Sequence, residues 1–476
     1  TSTRLTEDSA RLPASVTILT AEDILRRPAQ TLPELLALEA GVSMRSLYGN
    51  HAARATVDMR GFGAASTQNT LILLDGRRLN DIDLSAVDFS AIPLESIARI
   101  EIIRGAGGVL YGDGAVGGTI NIITKQPGRA GTSGSATVTG ESYKTRRLDA
   151  SVAHGQGPLA FNAFANGVNS GGYRRNNALE QNNLQADLRL SRERSEWFFK
   201  FSADDQSLRL PAARRVEPGA AIDQLNNDRR GTATPRDYSD QQGYSLTAGY
   251  SRFLSADREL IVDAGYRSKN QKSFFDDYVF AGAYARYLDT DLATGSFTPR
   301  LKTRHALFGH PGTTTAGVDY YQSQYDSDRA LNPSVASTPF HRLKVHQTSF
   351  AVYAQNMSEI DSHSTLTTGA RLQRVRMQAR DTFNPTAPGA GFGNEAPERR
   401  TTDNQHMLDA GLRRRLDDGW SVFGKLGRSV RFATIDEFFQ NDPTNFLQTF
   451  SPLKPQTVES VDLGADYTNG ETRFGI

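Results

Sequence analysis

The chain contains no cysteine, which excludes disulfides, thiolate metal ligands and cysteine nucleophiles and suits passage through an oxidising compartment. No run approaches about 18 uninterrupted apolar residues, so a transmembrane helix is excluded. A membrane-spanning strand is not, because it needs only about 9–11 residues with alternate ones apolar. Charge of one sign is also lacking: 54 Lys and Arg stand against 53 Asp and Glu, a net +1 that argues against a nucleic-acid partner. An apolar fraction of 38% argues against a disordered chain. The eight histidines form no HExxH and no short ligand pair, so neither a metal centre nor a bound cofactor is expected. No signal peptide opens at Thr1, as in a mature exported chain.

What is present concentrates in Met59–Lys125. Apolar, β-branched runs at Thr70–Leu74, Ile100–Ile103 and Thr119–Ile123 read as short strands separated by glycine-marked turns. Upstream, residues 13–20 read as a first strand. Thr20 caps a short helix through Leu25 with acids in its first turn, and Thr31–Glu39 makes a second helix that tolerates Pro33 at its start. The glycines of Gly105–Gly118 suggest a phosphate loop, but no Lys-Ser/Thr follows and no helix opens from them. Tight turns are the expectation there.

After Lys125 the pattern becomes strict alternation. Leu366-Thr368-Ala370-Leu372, Leu408-Ala410-Leu412 and Trp420-Val422-Gly424-Leu426 each occupy one face, while Arg371, Asp409 and Lys425 lie on the other. One side therefore meets an apolar medium and the other a polar lumen. Tyr244, Tyr250, Tyr266, Tyr320 and Trp420 fall near the ends of apolar faces, where amphipathic rings suit a membrane boundary. Short turns near Gly155–Pro158, Ser191–Glu196, Leu254–Asp257, His310–Thr313, Ile360–Ser364, Asp417–Gly419 and Asn469–Glu471 alternate with long insertions at Pro211–Gln241, Phe275–Thr294, Asp326–Phe340, Asp381–Arg400 and Phe432–Pro455. Short on one rim and long on the other is a membrane-barrel pattern.

Several motifs in a fixed order carry a family resemblance: Arg60-Gly61-Phe62, Asp75-Gly76, the Ile97–Ile103 run with Arg104-Gly105, Leu110-Tyr111-Gly112, and Gly117-Gly118 with Asn121 and Thr124-Lys125. Together they resemble the plug of TonB-dependent outer-membrane receptors. The resemblance implies a mainly β fold, a transmembrane antiparallel β-barrel with an N-terminal mixed α/β plug domain inside the lumen. Plug is expected at residues 1–127 and barrel at 128–476. Alternation gives about 14 or 15 barrel strands where the family has roughly 22, so a chain incomplete at its C-terminus is expected, because open edges in lipid are costly. The family's TonB-contacting segment is expected to lie ahead of Thr1, outside this chain.

The resemblance also implies roles for residues. Plug loops Arg45–His51, Ala64–Asn69 and Asn80–Asp88 would form the floor of a ligand chamber, with Arg45, Tyr48, His51, Gln68, Asn69, Asp81 and Asp83 as candidate contacts; ordinary solvated turns are the alternative. Arg214 and Arg215, in the Pro211–Gln241 insertion, would suit an anionic chelate, although nearby acids equally suit an internally paired lid. Arg60, Glu95, Glu101 and Arg104, charged beside apolar strand residues, are expected to lock the plug to the inner barrel wall. Val430-Arg431-Phe432-Ala433 and Ser451-Pro452-Leu453-Lys454-Pro455 loosely match two boxes that flank a haem-ligand histidine in the family's haem transporters, but no histidine lies between them here.

The implied function is TonB-powered import across the outer membrane of a scarce nutrient complex, a ferric siderophore foremost, with no bond made or broken. Cobalamin, haem or another small cofactor or metal chelate is the alternative within that class. A passive porin is the alternative outside it, together with a soluble enzyme for which no catalytic constellation is visible. Expected partners are TonB, the chelate and outer-membrane lipid.

Overall fold

The computed structural model describes residues 11–46, 53, 55–212, 228–276, 286–307, 309–390, 393–441, 448–469 and 472–475. Its N-terminal unit contains strands β1 (Val16–Thr20), β2 (Val42–Ser46), β3 (Ala55–Met59), β4 (Thr70–Leu74), β5 (Arg77–Arg78), β6 (Ile97–Arg104) and β7 (Gly118–Thr124), with helices α1 (Ala21–Arg26), α2 (Leu32–Ala37), α3 (Ser66–Asn69) and α4 (Gly108–Tyr111). Five strands form a mixed sheet in the order β1-β6-β7-β4-β5, with β4 and β7 parallel. β2 and β3 pair separately.

Local chemistry accounts for the helices. The Thr20 hydroxyl accepts from Asp23 N–H while the Asp23 carboxylate accepts from the Thr20 backbone, a reciprocal capping box. Thr31 caps α2 with Pro33 in the first turn. Leu32, Leu35 and Leu36 then pack onto Ile100, Ile102, Ile120 and Ile122, all at most 1% exposed. Each such side chain contributes roughly 1.5–3 kcal/mol by leaving water. The Ala64–Asn69 stretch, expected as a loop, is helical: a 3-10 turn at Gly63–Ala65 runs into α3.

The rest is one antiparallel sheet: β8 (Gly131–Glu141), β9 (Thr145–Gln156), β10 (Leu159–Ser170), β11 (Leu179–Arg192), β12 (Ser195–Arg209), β13 (Tyr238–Ser255), β14 (Arg258–Phe274), β15 (Tyr287–Phe297), β16 (Arg300–Leu307), β17 (His310–Ala330), β18 (His341–Glu359), β19 (Ser364–Phe383), β20 (Ala396–Arg415), β21 (Trp420–Arg431), β24 (Gln456–Asn469) and β25 (Thr472–Gly475). A small hairpin, β22 (Phe439–Asn441) with β23 (Gln448–Phe450), follows helix α5 (Ile435–Phe438) in the β21–β24 connection. β15 and β16 both pair with β14 and β17, so they are one strand interrupted at Thr298-Pro299. Proline lacks the ladder donor, and the Pro299 carbonyl instead accepts from Val318 N–H at 3.0 Å. Among the described residues the sheet thus runs through fifteen strand positions from β8 to β25.

The alternation holds in three dimensions. On β19, Leu366 and Leu372 are exposed to the outside, whereas Thr365, Thr367, Arg371 and Gln373 face inward and are buried. Tyr244 and Tyr266 sit ring to ring on the outer face at 5.9 Å, and Trp420 meets Tyr467 at 5.1 Å. One turn differs from expectation: His310–Thr313 lies inside β17, because the turn occurs earlier, after Leu307. Four of the long connections are also tighter than read from sequence, at 210–237, 275–286, 331–340 and 384–395, since their flanks continue as strand, while the fifth spans 432–455 as expected. Inward-facing side chains of β11, β12, β14, β19, β20 and β24 all reach the N-terminal unit, which places it within the curved sheet.

Candidate functional site

The plug segment 79–88 lies toward the rim that carries the long connections. Asp81 is its electrostatic centre: it pairs with Arg267 and with Lys269 Nζ at 2.6 Å, both on β14. Arg267 Nη1 also donates to the Leu79 carbonyl at 3.0 Å. Burial alone would raise the Asp81 pKa, but Arg267 and Lys269 outweigh it and hold the carboxyl below its ordinary 3.8.

Next to Asp81 the packing turns apolar. Ile82 packs against a buried cluster that includes Leu292, Tyr325, Val345, Met377, Ile435 and Phe438. The 432–455 connection is stitched to it: Ile435 N–H donates to the Ile82 carbonyl at 2.9 Å, and Leu84 N–H donates to Asp436 Oδ2 at 2.9 Å. Burial, with Asp83 nearby, holds the Asp436 carboxyl above its ordinary value.

A second set of anchors lies at the β4–β5 hairpin. Asp75 and Gly76 both adopt positive φ, +52° and +80°, which a two-residue turn of this hand requires. That turn aims Asp75 at Lys200 Nζ, 2.6 Å away on β12, and Arg77 at Asp263 and Ser296. Further along, Asp113 pairs with Arg78 and accepts from Gln373 Nε2 at 2.7 Å, while Asp88 accepts from Gln206 Nε2 at 2.7 Å. Burial opposes ionisation of Asp75 and Asp113, yet Lys200 and Arg78 respectively keep both carboxyls below 3.8.

These depressions predict a pH dependence. A carboxyl whose folded pKa lies below its unfolded one stabilises the fold above the unfolded value and loses that contribution as pH falls through the folded one. The protection factors of amides 75–85, with the intrinsic pH dependence of exchange divided out, are therefore expected to stay high from pH 8 to about 5 and to fall below about pH 4. Constant protection down to pH 2 would contradict this.

The sequence-derived candidates distribute unevenly. Gln68, Asp81 and Asp83 line a small cavity with Asn80, Arg431 and Thr434. Asp83 Oδ1 is engaged locally, accepting from Ser85 N–H at 3.1 Å. Asn69 is fully buried within the plug, its amide donating to the Ala65 carbonyl at 2.9 Å. Arg45 is exposed on β2 opposite Thr56. Tyr48, His51, Arg214 and Arg215 lie outside the described residues.

Of the four expected locks, Arg60 pairs with Asp462 on β24. Glu95 lines a small cavity with Arg147 and Gln181 of the wall. Glu101 and Arg104 differ from the expectation. Glu101 binds Arg99 at 2.9 Å and Asn121 at 3.0 Å, and Arg104 binds the Ala40 carbonyl and Thr17 at 2.8 Å. Every described partner of these two is within the plug, because β6 runs through the middle of the plug sheet. Asp81, expected as a ligand contact, pairs instead with Arg267 and Lys269 of the wall, and the anchors missed from sequence, Asp75, Arg77 and Asp113, lie at the Asp75-Gly76 turn and the glycine-rich turn, which were the available signal.

The Gly105–Gly118 segment is a packing device. A Cβ on Gly108 would come 2.9 Å from Met407 Sδ, one on Gly112 3.0 Å from Arg371 Nη2, and one on Gly105 2.9 Å from Asp462 Oδ2. Glycine here lets the plug backbone lie directly against the barrel wall. The whole arrangement is a stopper held to the wall by charged and close-packed contacts.

Comparison with known proteins agrees with this architecture. Residues 8–119 match the family model described as TonB-dependent Receptor Plug Domain, and residues 124–476 match TonB dependent receptor-like, beta-barrel. A Vitamin B12 transporter BtuB of Vibrio cholerae is 38% identical over 157 residues, 33% of this chain and 25% of that protein. A ferric enterobactin receptor of Pseudomonas aeruginosa is 36% identical over 135 residues, 26% of this chain and 18% of that protein. The matched segments thus span a quarter or less of these two relatives. The unliganded ferric citrate transporter FecA superposes with a TM-score of 0.78 at 15% identity, covering 97% of this chain and 68% of that one, a likeness of fold. With a plug model and a barrel model matching end to end in the order the structure shows, the chain belongs to the TonB-dependent receptor family.

Proposed function

We propose that this receptor actively imports a scarce nutrient complex across the outer membrane of a Gram-negative cell, and that the complex is a ferric siderophore. The observation that supports it is the stopper itself: a folded domain pinned in the lumen by Asp75, Asp81 and Asp113 has no use in a passive pore. Ligand would enter between the long connections and settle on the plug floor, with Gln68 and Asp83 from the apex and Arg45, Tyr48, His51, Arg214 and Arg215 as further contacts. TonB, engaging the receptor N-terminal to the plug, would then rearrange it. Arg60 and Glu95 would serve as plug-to-barrel locks. A chamber closed by connections buries most of a ligand's surface, which supports tight binding before transport.

Cobalamin is the second reading, favoured by the 38% identity to the Vibrio cholerae transporter. Growth of a deletion strain on a panel of iron chelates and cofactors, with and without functional TonB, separates the two. TonB-dependent rescue by an iron chelate, matched by binding to purified receptor, is expected. Rescue by cobalamin alone would remove the siderophore assignment, and conductance or uptake that persists without TonB would favour a porin.

A further inference from the structure

The plug is seated unevenly in the wall. Toward β18–β20 it is closed in by large side chains: Tyr353, Arg371 and Met407 lie opposite one another on the inner face, and Gly112 and Gly108 pack directly onto the last two. Toward β12–β15 the inward positions are small, with Ser202 opposite Ser245, Thr247 opposite Gly265, and Gly265 opposite Ser296. About 1160 Å³ of unfilled space, part of it continuous with solvent, lies there between the wall and the β4–β5 hairpin. The hairpin has room to leave its seat without displacing the barrel.

Two ion pairs hold the hairpin across this space, Asp75 with Lys200 and Arg77 with Asp263. Each wall partner has a second counter-ion in the wall itself. Lys200 Nζ lies 3.4 Å from Asp187 Oδ2, and Arg300 Nη1 lies 2.7 Å from Asp263 Oδ2. Asp187 also binds Arg189, which reaches Glu196 at 2.6 Å. With the hairpin gone, these wall groups still balance: Lys200 and Arg189 face Asp187 and Glu196, and Arg300 faces Asp263. The hairpin itself gives up one partner of each sign, and Asp75 keeps the Thr124 N–H at 3.0 Å and the Thr124 hydroxyl at 2.8 Å. Stripping the partner from a buried charge is costly because the remaining charge stays desolvated and unopposed. Here neither side is stripped. Asp81 differs, since Arg267 and Lys269 share that one carboxylate with only the more distant field of Asp204 behind it.

We propose that Asp187 and Arg300 are standby counter-ions, positioning residues that let the β4–β5 hairpin leave the wall and return during import. This rests on the import reading but not on which complex is carried. In the seated state neither standby is needed: Lys200 keeps Asp75, Arg189 keeps Glu196, and Asp263 keeps Arg77 and the Thr298 hydroxyl at 2.7 Å. In the released state Lys200 rests on Asp187 and Asp263 on Arg300. Removing a standby therefore leaves the seat intact and makes leaving it harder.

Because the chain has no cysteine, Ser245→Cys places a single reporter thiol in the wall behind the hairpin. The full-length receptor carrying it is purified and treated, in sub-denaturing urea, with a maleimide on a polyethylene glycol chain too bulky for the seated cavity. Labelling is expected to slow at least about fivefold in Asp187→Asn and in Arg300→Gln, to quicken in Arg77→Gln, and to recover in Arg300→Lys. A merely structural role predicts the opposite sign, since a weakened wall would label faster. In cells, TonB-dependent uptake of ferric citrate or ferric enterobactin is expected to fall about fivefold in the two standby variants, with surface binding unchanged. Labelling that stays constant or quickens in both standby variants would overturn the proposal, as would wild-type uptake rates in both. Wild-type cells that import neither chelate would count against the siderophore reading alone, because labelling is measured without ligand and decides the standby role by itself.

Discussion

An Asp81→Ala receptor is expected to lose about 2–3 kcal/mol of anchoring at the plug apex, read as faster hydrogen exchange at amides 79–85. The argument starts from what the substitution leaves behind. Arg267 and Lys269 face inward on β14, and their described carboxylate partner is Asp81. Truncating the partner of a buried charge costs more than the pair contributes, because the remaining cations stay desolvated with only the more distant field of Asp204 to offset them. The figure is set below the full cost of a buried pair because Arg267 keeps 27% of its side-chain surface in water. Arg267 would still hold the Leu79 carbonyl, so the segment should loosen without leaving the wall. Asp83→Ala is the internal comparison: its described hydrogen bonds go only to Ser85, two residues away, and its loss should cost under about 1 kcal/mol. Equal exchange in the two variants would show that the β14 pairing does not anchor the apex.

The second large effect belongs to Gly117→Ala, expected to destabilise the plug by about 3 kcal/mol and to expose it to protease within an intact barrel. A Cβ at Gly117 would stand 2.5 Å from the Met59 carbonyl oxygen, 3.1 Å from the Phe62 ring and 3.3 Å from the Asn69 carbonyl oxygen. Two of these three are backbone atoms. The Asn69 carbonyl is held by Gly117 N–H, which donates to it at 2.8 Å, and Gly117 is itself held by Gly105 N–H, which donates to its carbonyl at 3.1 Å. The methyl therefore forces β3, α3 and the start of β7 apart. Gly61→Ala makes the contrast: nothing lies within 4 Å of its added Cβ, but its φ of +77° charges the backbone about 1–2 kcal/mol. The ratio between the two variants, measured by plug proteolysis or thermal unfolding, distinguishes a packing cost from a conformational one.

The sheet was legible because alternation is a local property. Leu366 to Leu372 specify an outward face wherever the strand happens to lie, and the Thr20 and Thr31 caps are written within four residues of the helices they start. Elements held by distant partners were not legible. α3, with the sequence Ser-Thr-Gln-Asn, has no apolar stripe, and it forms because Asn69 donates back to Ala65 and the adjoining strands fix its ends. His310-Pro311-Gly312 reads as a turn by residue type, yet it is strand, since Pro311 sits near the start of β17 where a missing donor is tolerated. The anchors depend on register set far away: Asp81 meets Arg267 across 186 positions, and no local rule tells which β14 side chain will face it. Glu101 and Arg104 show the converse. Charges beside apolar residues were read as facing the wall, whereas the plug sheet supplies its own Asn121 and Ala40 as partners.

The wall does not rise evenly. β8, β9 and β10 have 11, 12 and 12 residues, while β17, β18, β19 and β20 have 21, 19, 20 and 20. At about 3.4 Å per residue the strands measure about 40 Å on one flank and about 65–70 Å on the other. The ladder carries Ser170, at the end of β10, through Leu179, Leu208, Ser239, Ser273 and Leu288 to Arg329, one residue from the end of β17, so in register the surplus of the later strands hangs below, at the rim of short turns, like a skirt longer on one hip.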